Sequence, residues 1–211
     1  MVTFTSFAAE RKWNGAGFTD KGSITSATNT DFNDGANWLP TGALATGDDL
    51  IINLNDNSTN IVSLSAALSV NSLTINGNVI KNAGLGGQSF TLNTGIYSFN
   101  LVSNHTVINS CTPPGNQNDR AFNIIITNSG VGKFTIGGNL SATNTNVSIS
   151  NPLSANSIKY LINGNMIVNG TTLAKSLNTA TSSNVSFFVG NAPAKIKFTG
   201  NVVLDDNTAA T

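Results

Sequence analysis

Charge is what this chain has least of. Ten of its 211 residues are Lys or Arg and ten are Asp or Glu, together 9% with a net charge of zero, where a soluble domain usually carries about a quarter. The basic residues are scattered, so there is no positive footprint for nucleic acid and no polybasic cluster for an anionic membrane, and neither partner is expected. Cys111 is the only cysteine and His105 the only histidine. An intrachain disulfide and a Cys/His zinc site are therefore both excluded, and no cofactor is expected. No run reaches the ~18 apolar residues of a membrane span. The opening MVTFTSFAAERKW lacks the basic region and apolar core of a signal peptide, and the closing LDDNTAAT carries no strand or helix signal. Both ends are expected of a fragment cut from a longer chain.

Helical signals are equally scarce. No stretch repeats apolar residues at i, i+3, i+4 and i+7 for three turns, and Asn, Thr, Ser and Gly make up nearly half the chain, Asn alone contributing 33 residues. What remains is short strands separated by Asn, Gly and Ser. They are expected at Leu50–Leu54, Ile61–Leu64, Ser72–Ile75, Phe90–Leu92, Tyr97–Val102, Thr106–Ile108, Phe122–Thr127 and Lys133–Ile136. Further ones are expected at Val147–Ile149, Ile158–Ile162, Met166–Val168, Val185–Val189, Lys195–Phe198 and Val202–Leu204.

One pattern recurs: SLTINGNVI from Ser72, KFTIGGNLSA from Lys133, KYLINGNMIV from Lys159 and KIKFTGNVVL from Lys195. Aligning Gly77, Gly138, Gly164 and Gly200 gives intervals of 61, 26 and 36, a unit near 30 if one copy in the first gap has decayed. Self-similarity at this period marks a solenoid. The expected fold is all-β, a right-handed parallel β-helix, with an antiparallel β-sandwich as the alternative, since Gly-Asn also closes hairpins. Residues 1–46 form an N-terminal capping segment and residues 47–211 the coils, in one continuous domain. In stacked coils, equivalent Asn residues lie above one another and bond as amides where like charges would repel. Gly or Asn at the corners supplies positive φ. Ile75, Ile136, Ile162 and Phe198, at one offset before each Gly-Asn, are expected inside one core.

Residues 12 to about 80 carry a Trp-x-Gly step (Trp13, Gly15), an Asn-Trp (Asn37, Trp38), Pro40, an Asp-Asp (Asp48, Asp49) before a strand, and then Val70 to Ile75. This order resembles a module of very large secreted and surface proteins of Bacteroidota, many carried by the type IX secretion route. A Thr-Gly-Ala-Leu-Ala-Thr insert separates Pro40 from Gly47, where the usual module is tighter. The resemblance implies a non-enzymatic structural or adhesive segment of a cell-surface or filament protein. Its partners would be further β-solenoid modules, or copies of itself end to end. The scarcity of Cys, Lys and Glu (Glu10 alone) likewise suits an extracellular or cell-surface location. Trp13 and Trp38 are read as a cap over the open first coil, with Asn37 satisfying local backbone groups.

A carbohydrate-binding module is the alternative function, with Trp13, Trp38 or Tyr97 as stacking platforms for surface glycans. Ice binding is a weaker one, suggested by TNTNVSIS although Thr does not repeat at coil spacing. Catalysis is not expected. Asp48 and Asp49 are neighbours on a strand and point to opposite faces, whereas glycoside hydrolysis needs carboxyls facing each other ~5–10 Å apart. Calcium is the least improbable ion, because Asp34, Asp48, Asp49 and Asp56 crowd the N-terminal module. The loop NSCTPPGNQNDRAF, residues 109–122, is read as an excursion from the solenoid, with Cys111 inside it.

Overall fold

In the computed structural model, the described residues are 8–13, 30–54, 59–77, 88–109, 120–129, 131–144, 156–176, 184–190 and 194–206. They contain no α-helix, and their one helical turn is the 3₁₀ segment Gly35–Asn37. Two short strands come first, β1 (Glu10–Trp13) and β2 (Trp38–Leu39). Five triplets follow: β3–β5 (Asp49–Leu54, Thr59–Ser63, Leu68–Val70), β6–β8 (Ser72–Gly77, Gln88–Gly95, Phe99–Leu101), β9–β11 (His105–Asn109, Arg120–Asn128, Phe134–Ile136), β12–β14 (Leu140–Asn144, Asn156–Asn163, Asn165–Val168) and β15–β17 (Thr172–Ser176, Asn184–Val189, Lys195–Phe198). A last strand, β18 (Val202–Asp206), begins a sixth coil.

Each triplet visits three sheets in turn. The first face is ordered β18-β15-β12-β9-β6-β3-β1-β2, the second β16-β13-β10-β7-β4 and the third β17-β14-β11-β8-β5. Every pair is parallel except β1 with β2. The fold is a three-sided parallel β-solenoid. The register partners Asp49↔Ser72, Leu73↔His105, His105↔Leu140, Leu140↔Thr172 and Thr172↔Val202 give coil lengths of 23, 32, 35, 32 and 30 residues.

Alternation drives this arrangement. A strand sends successive side chains to opposite faces, and the apolar residues at every second position turn inward. The coil from Ser72 buries Leu73, Ile75, Phe90, Leu92, Phe99 and Leu101 in this way. Each such side chain contributes about 1.5–3 kcal/mol. Registered stacking then builds columns, such as Val70–Leu101–Ile136–Val168–Phe198 on the third face and Phe90–Ile124–Tyr160–Phe187 on the second.

The Gly-Asn alignment is corrected by this register. Ile75 lies on the first face, Ile162 on the second, and Ile136 and Phe198 on the third. All four contribute to one core, Phe198 from its partly buried edge, but they do not form one stack. Gly77 ends β6, Gly164 sits between the second and third faces, and only Gly138 and Gly200 share a corner. That corner, from third face to first, is three residues long in four successive coils: Val102–Asn104, 137–139, 169–171 and 199–201. Its middle position holds Ser103, Gly138, Gly170 and Gly200. The reason for glycine there is close approach rather than positive φ: a Cβ on Gly170 would stand 2.4 Å from the Gly138 carbonyl oxygen, and one on Gly200 2.3 Å from that of Gly170.

Amides do line up, in two ways. On the first face Asn76 Nδ2 donates to Asn53 Oδ1 at 2.8 Å, and Asn109 Nδ2 to Asn144 Oδ1 at 3.3 Å. At the corner the side chain serves the backbone instead. Asn104 Oδ1 accepts the Asn139 N–H, and Asn139 Oδ1 accepts the Thr171 N–H, both at 2.9 Å. Expected strands at Val147–Ile149, most of the loop 109–122 with Cys111, and Asp56 lie outside the described residues. Tyr97, expected in a strand, sits in the turn before β8.

Candidate functional site

The two ends of the solenoid differ, and the difference begins with Asp48. Its carboxylate is buried, accepting at Oδ1 from the Ala9 N–H (3.2 Å) and at Oδ2 from the Ala45 N–H (2.9 Å) and Arg11 Nε (3.0 Å). The rest of the Arg11 guanidinium donates to the carbonyls of Pro40, Gly42 and Ala43. One ion pair thus ties β1, the 40–45 segment and the start of β3 together, and neither charge is left without partners in a dry setting. This explains the Asp-Asp before the strand. Asp49, the outward neighbour, accepts from Asn71 Nδ2 and Ser72 Oγ of the next coil.

Above the first coil lies an aromatic lid. Trp13, Phe32 and Trp38 are all buried. Trp38 meets Trp13 and Phe32 edge-on, with centroids 5.0 and 4.9 Å apart, a geometry favoured by ring quadrupoles. Trp38 Nε1 donates to the Phe32 carbonyl at 3.0 Å, and Asn37 Nδ2 to that of Asp31 at 2.8 Å. The stretch Thr30–Phe32 pairs with Ser63 and extends the second face, while β2 closes the first face by running antiparallel to β1. The indole faces that a sugar would stack upon are covered. Of the three rings considered as platforms, Tyr97 alone keeps open surface, half-buried beside exposed Ile96.

From the lid a line of rings descends through the interior: Phe32, Phe99, Phe134, His105, Tyr160, Phe187 and Phe198, each within 6.2 Å of the next. His105 replaces a leucine in the column Leu50–Leu73–His105–Leu140. Its Nδ1 lies 2.9 Å from the Leu73 carbonyl, which can only accept, so Nδ1 carries the proton, and Nε2 is buried without a partner. Burial lowers its pKa from 6.5 to about 4, against a smaller upward pull from the Leu73 bond. The Tyr160 hydroxyl, also buried without a partner, is pushed up by burial and stays protonated.

Acid should therefore weaken the fold through this one ring. The unfolded chain takes up the proton at its ordinary value and the folded chain resists it. The contribution is complete above pH 6.5 and is lost as pH falls toward 4, a loss of about 3 kcal/mol. Urea titrations between pH 7 and 4 should show this fall, and His105→Leu should flatten it. An unchanged slope in that variant would assign the acid sensitivity elsewhere.

At the far end the columns stop in the open. Val189, Val202 and Leu204, which continue inward columns, are between 48% and 73% exposed, and Val185, Phe187, Ile196 and Phe198 are only partly covered; the outward-facing Phe188 and Val203 beside them are exposed as well. Among the described residues no three His, Cys, Asp or Glu side chains gather as metal ligands. Of the acids considered for calcium, Asp48 and Asp49 are engaged as above, and Asp34 Oδ1 accepts the Ala36 N–H. Asp48 and Asp49 do not converge on a common cleft, since one is buried and the other faces outward. No described helix is long and apolar enough to cross a membrane. No protein-family model, curated protein or solved structure matches this chain.

Proposed function

We propose that this chain is a non-enzymatic structural module of an exported, cell-surface or filament-forming protein, and that it works by joining further β-solenoid coils at its C-terminal end. The observation that carries this reading is the asymmetry of the ends. One is closed by an aromatic lid and a buried ion pair; the other exposes interior side chains and the edges of β16, β17 and β18. Such edges present unpaired N–H and C=O groups that accept another strand layer. The low charge and the resemblance to Bacteroidota surface modules favour the same setting. Of the adjacent carboxyls, Asp48 is occupied in holding the cap and Asp49 in bonding the next coil.

Hydrogen exchange tests the open end. In a dilute monomer, amides from Phe198 to Leu204 should exchange at least about tenfold faster than those from Tyr160 to Ile162, because the terminal strands have a neighbour on one side only. Equal protection would mean that the end is already covered, and the joining role would be abandoned.

A further inference from the structure

What can occupy the open end follows from what a second copy has to offer. Its N-terminal end is shut: Trp13, Phe32 and Trp38 fill the mouth, and β2 caps the edge of the first face. A head-to-tail stack would have to expel that lid. The C-terminal end, by contrast, is apolar and edge-exposed among the described residues, and two identical chains share it.

We propose that two copies close on one another tail to tail, about a twofold axis perpendicular to the solenoid axis. Such an interface uses the same patch on both sides and stops at two. This inference rests on reading the C-terminal end as a joining surface. The terminus is a step, because the coils place six strands on the first face and five on each of the others. The raised strand β18 needs a lower edge opposite it. Of the two lower edges, β16 ends in exposed Phe188 and Val189, whereas β17 presents exposed Lys195 and Lys197. The twofold therefore sets β18 against β16 of the second copy and leaves β17 facing its own mate.

Rotation reverses strand direction, so these pairs are antiparallel. Register fixes which residues point inward: Val202 and Leu204 follow buried Thr172 and Ala174, and Phe187 and Val189 follow buried Tyr160 and Ile162. Matching inward with inward sets Val202, Val203 and Leu204 opposite Val189, Phe188 and Phe187 of the second copy. Each exposed apolar side chain of the terminal coil gains an apolar partner. On the third side, lysine approaches lysine, which opposes association and is screened by salt.

Sedimentation equilibrium of the full chain should show a monomer–dimer equilibrium with no larger species, and the dimer should tighten as salt is raised. Leu204→Lys should weaken it at least about tenfold while leaving exchange at Tyr160–Ile162 unchanged. In a Cys111→Ser background, the pair Phe188→Cys and Val203→Cys should oxidise to a covalent dimer. A chain that is monomeric at every concentration and salt, an open ladder of oligomers, or a dimer indifferent to Leu204→Lys would each overturn the proposal. A monomer with fast-exchanging terminal strands would sink the dimer and leave the joining role standing. A monomer with protected ones would sink both.

Discussion

Replacing Ile162 with aspartate is expected to unfold the chain. Ile162 is fully buried, stacked between Ile126 and Val189 on the second face, and no cationic side chain occupies that column. An unpaired carboxylate there costs several kcal/mol even after its pKa rises, and the lost packing of a large aliphatic side chain adds about 2–5 kcal/mol. A domain of this size is stable by about 5–15 kcal/mol, so the two together consume most or all of the margin. Circular dichroism should show loss of the β signal at neutral pH, and Ile162→Val should lose only about 1 kcal/mol. A folded Ile162→Asp protein would mean that the second face opens to water at this level.

The second large effect is expected at the cap. Asp48→Ala removes the anion from a buried pair and leaves the Arg11 guanidinium, with the Ala9 and Ala45 amides, short of its acceptor. Breaking such a pair costs about 3–5 kcal/mol. The loss should be local. Both tryptophans of the chain lie in the lid, so their emission should shift to the red while exchange at β13 stays slow. Asp48→Asn keeps oxygen for one amide and should fall between the two. An Asp48→Ala protein with unchanged tryptophan emission would show that the aromatic contacts hold the lid without the ion pair.

The architecture was readable because solenoid strands obey a local rule. Alternation at Leu50–Leu54 or Lys195–Phe198 needs no knowledge of the partner strand, and among the aligned glycines Gly138 and Gly200, which share a corner two coils apart, carry the coil length near 30. Register was harder. Gly77 and Gly164 look like Gly138 and Gly200 in sequence, yet the four serve different places, because a glycine can answer to a tight turn, to a neighbour's carbonyl or to the end of a strand. Strands β12 and β15 were missed for a related reason: in LSATN and TLAKS the inward positions beyond Leu140 include Ala142, Thr172 and Ala174, which carry little hydrophobic signal. Strand β5 does turn Leu68 and Val70 inward, but LSV is only three residues long and too short for alternation to show. The buried His105 was legible only in retrospect, as the inward member of His-Thr-Val-Ile-Asn. Nothing in the sequence joins Arg11 to Asp48, 37 residues away, and the lid residue Phe32 stands in an Asn-rich turn where no periodicity marks it.

The pinning of β1 also gives the stack a direction under load. Each coil touches only its neighbours, so its stability is a chain of nearest-neighbour contributions. Tension applied to such an object peels it one layer at a time rather than all at once. At the Arg11–Asp48 end, the first layer cannot lift without breaking a buried ion pair, three carbonyl bonds and a cluster of stacked rings. At β18 the outermost layer is held from one side only, by its ladder to β15. Pulled from both ends, the protein should unravel from its C-terminal side, releasing roughly one coil of chain per step, with the lid the last structure to yield.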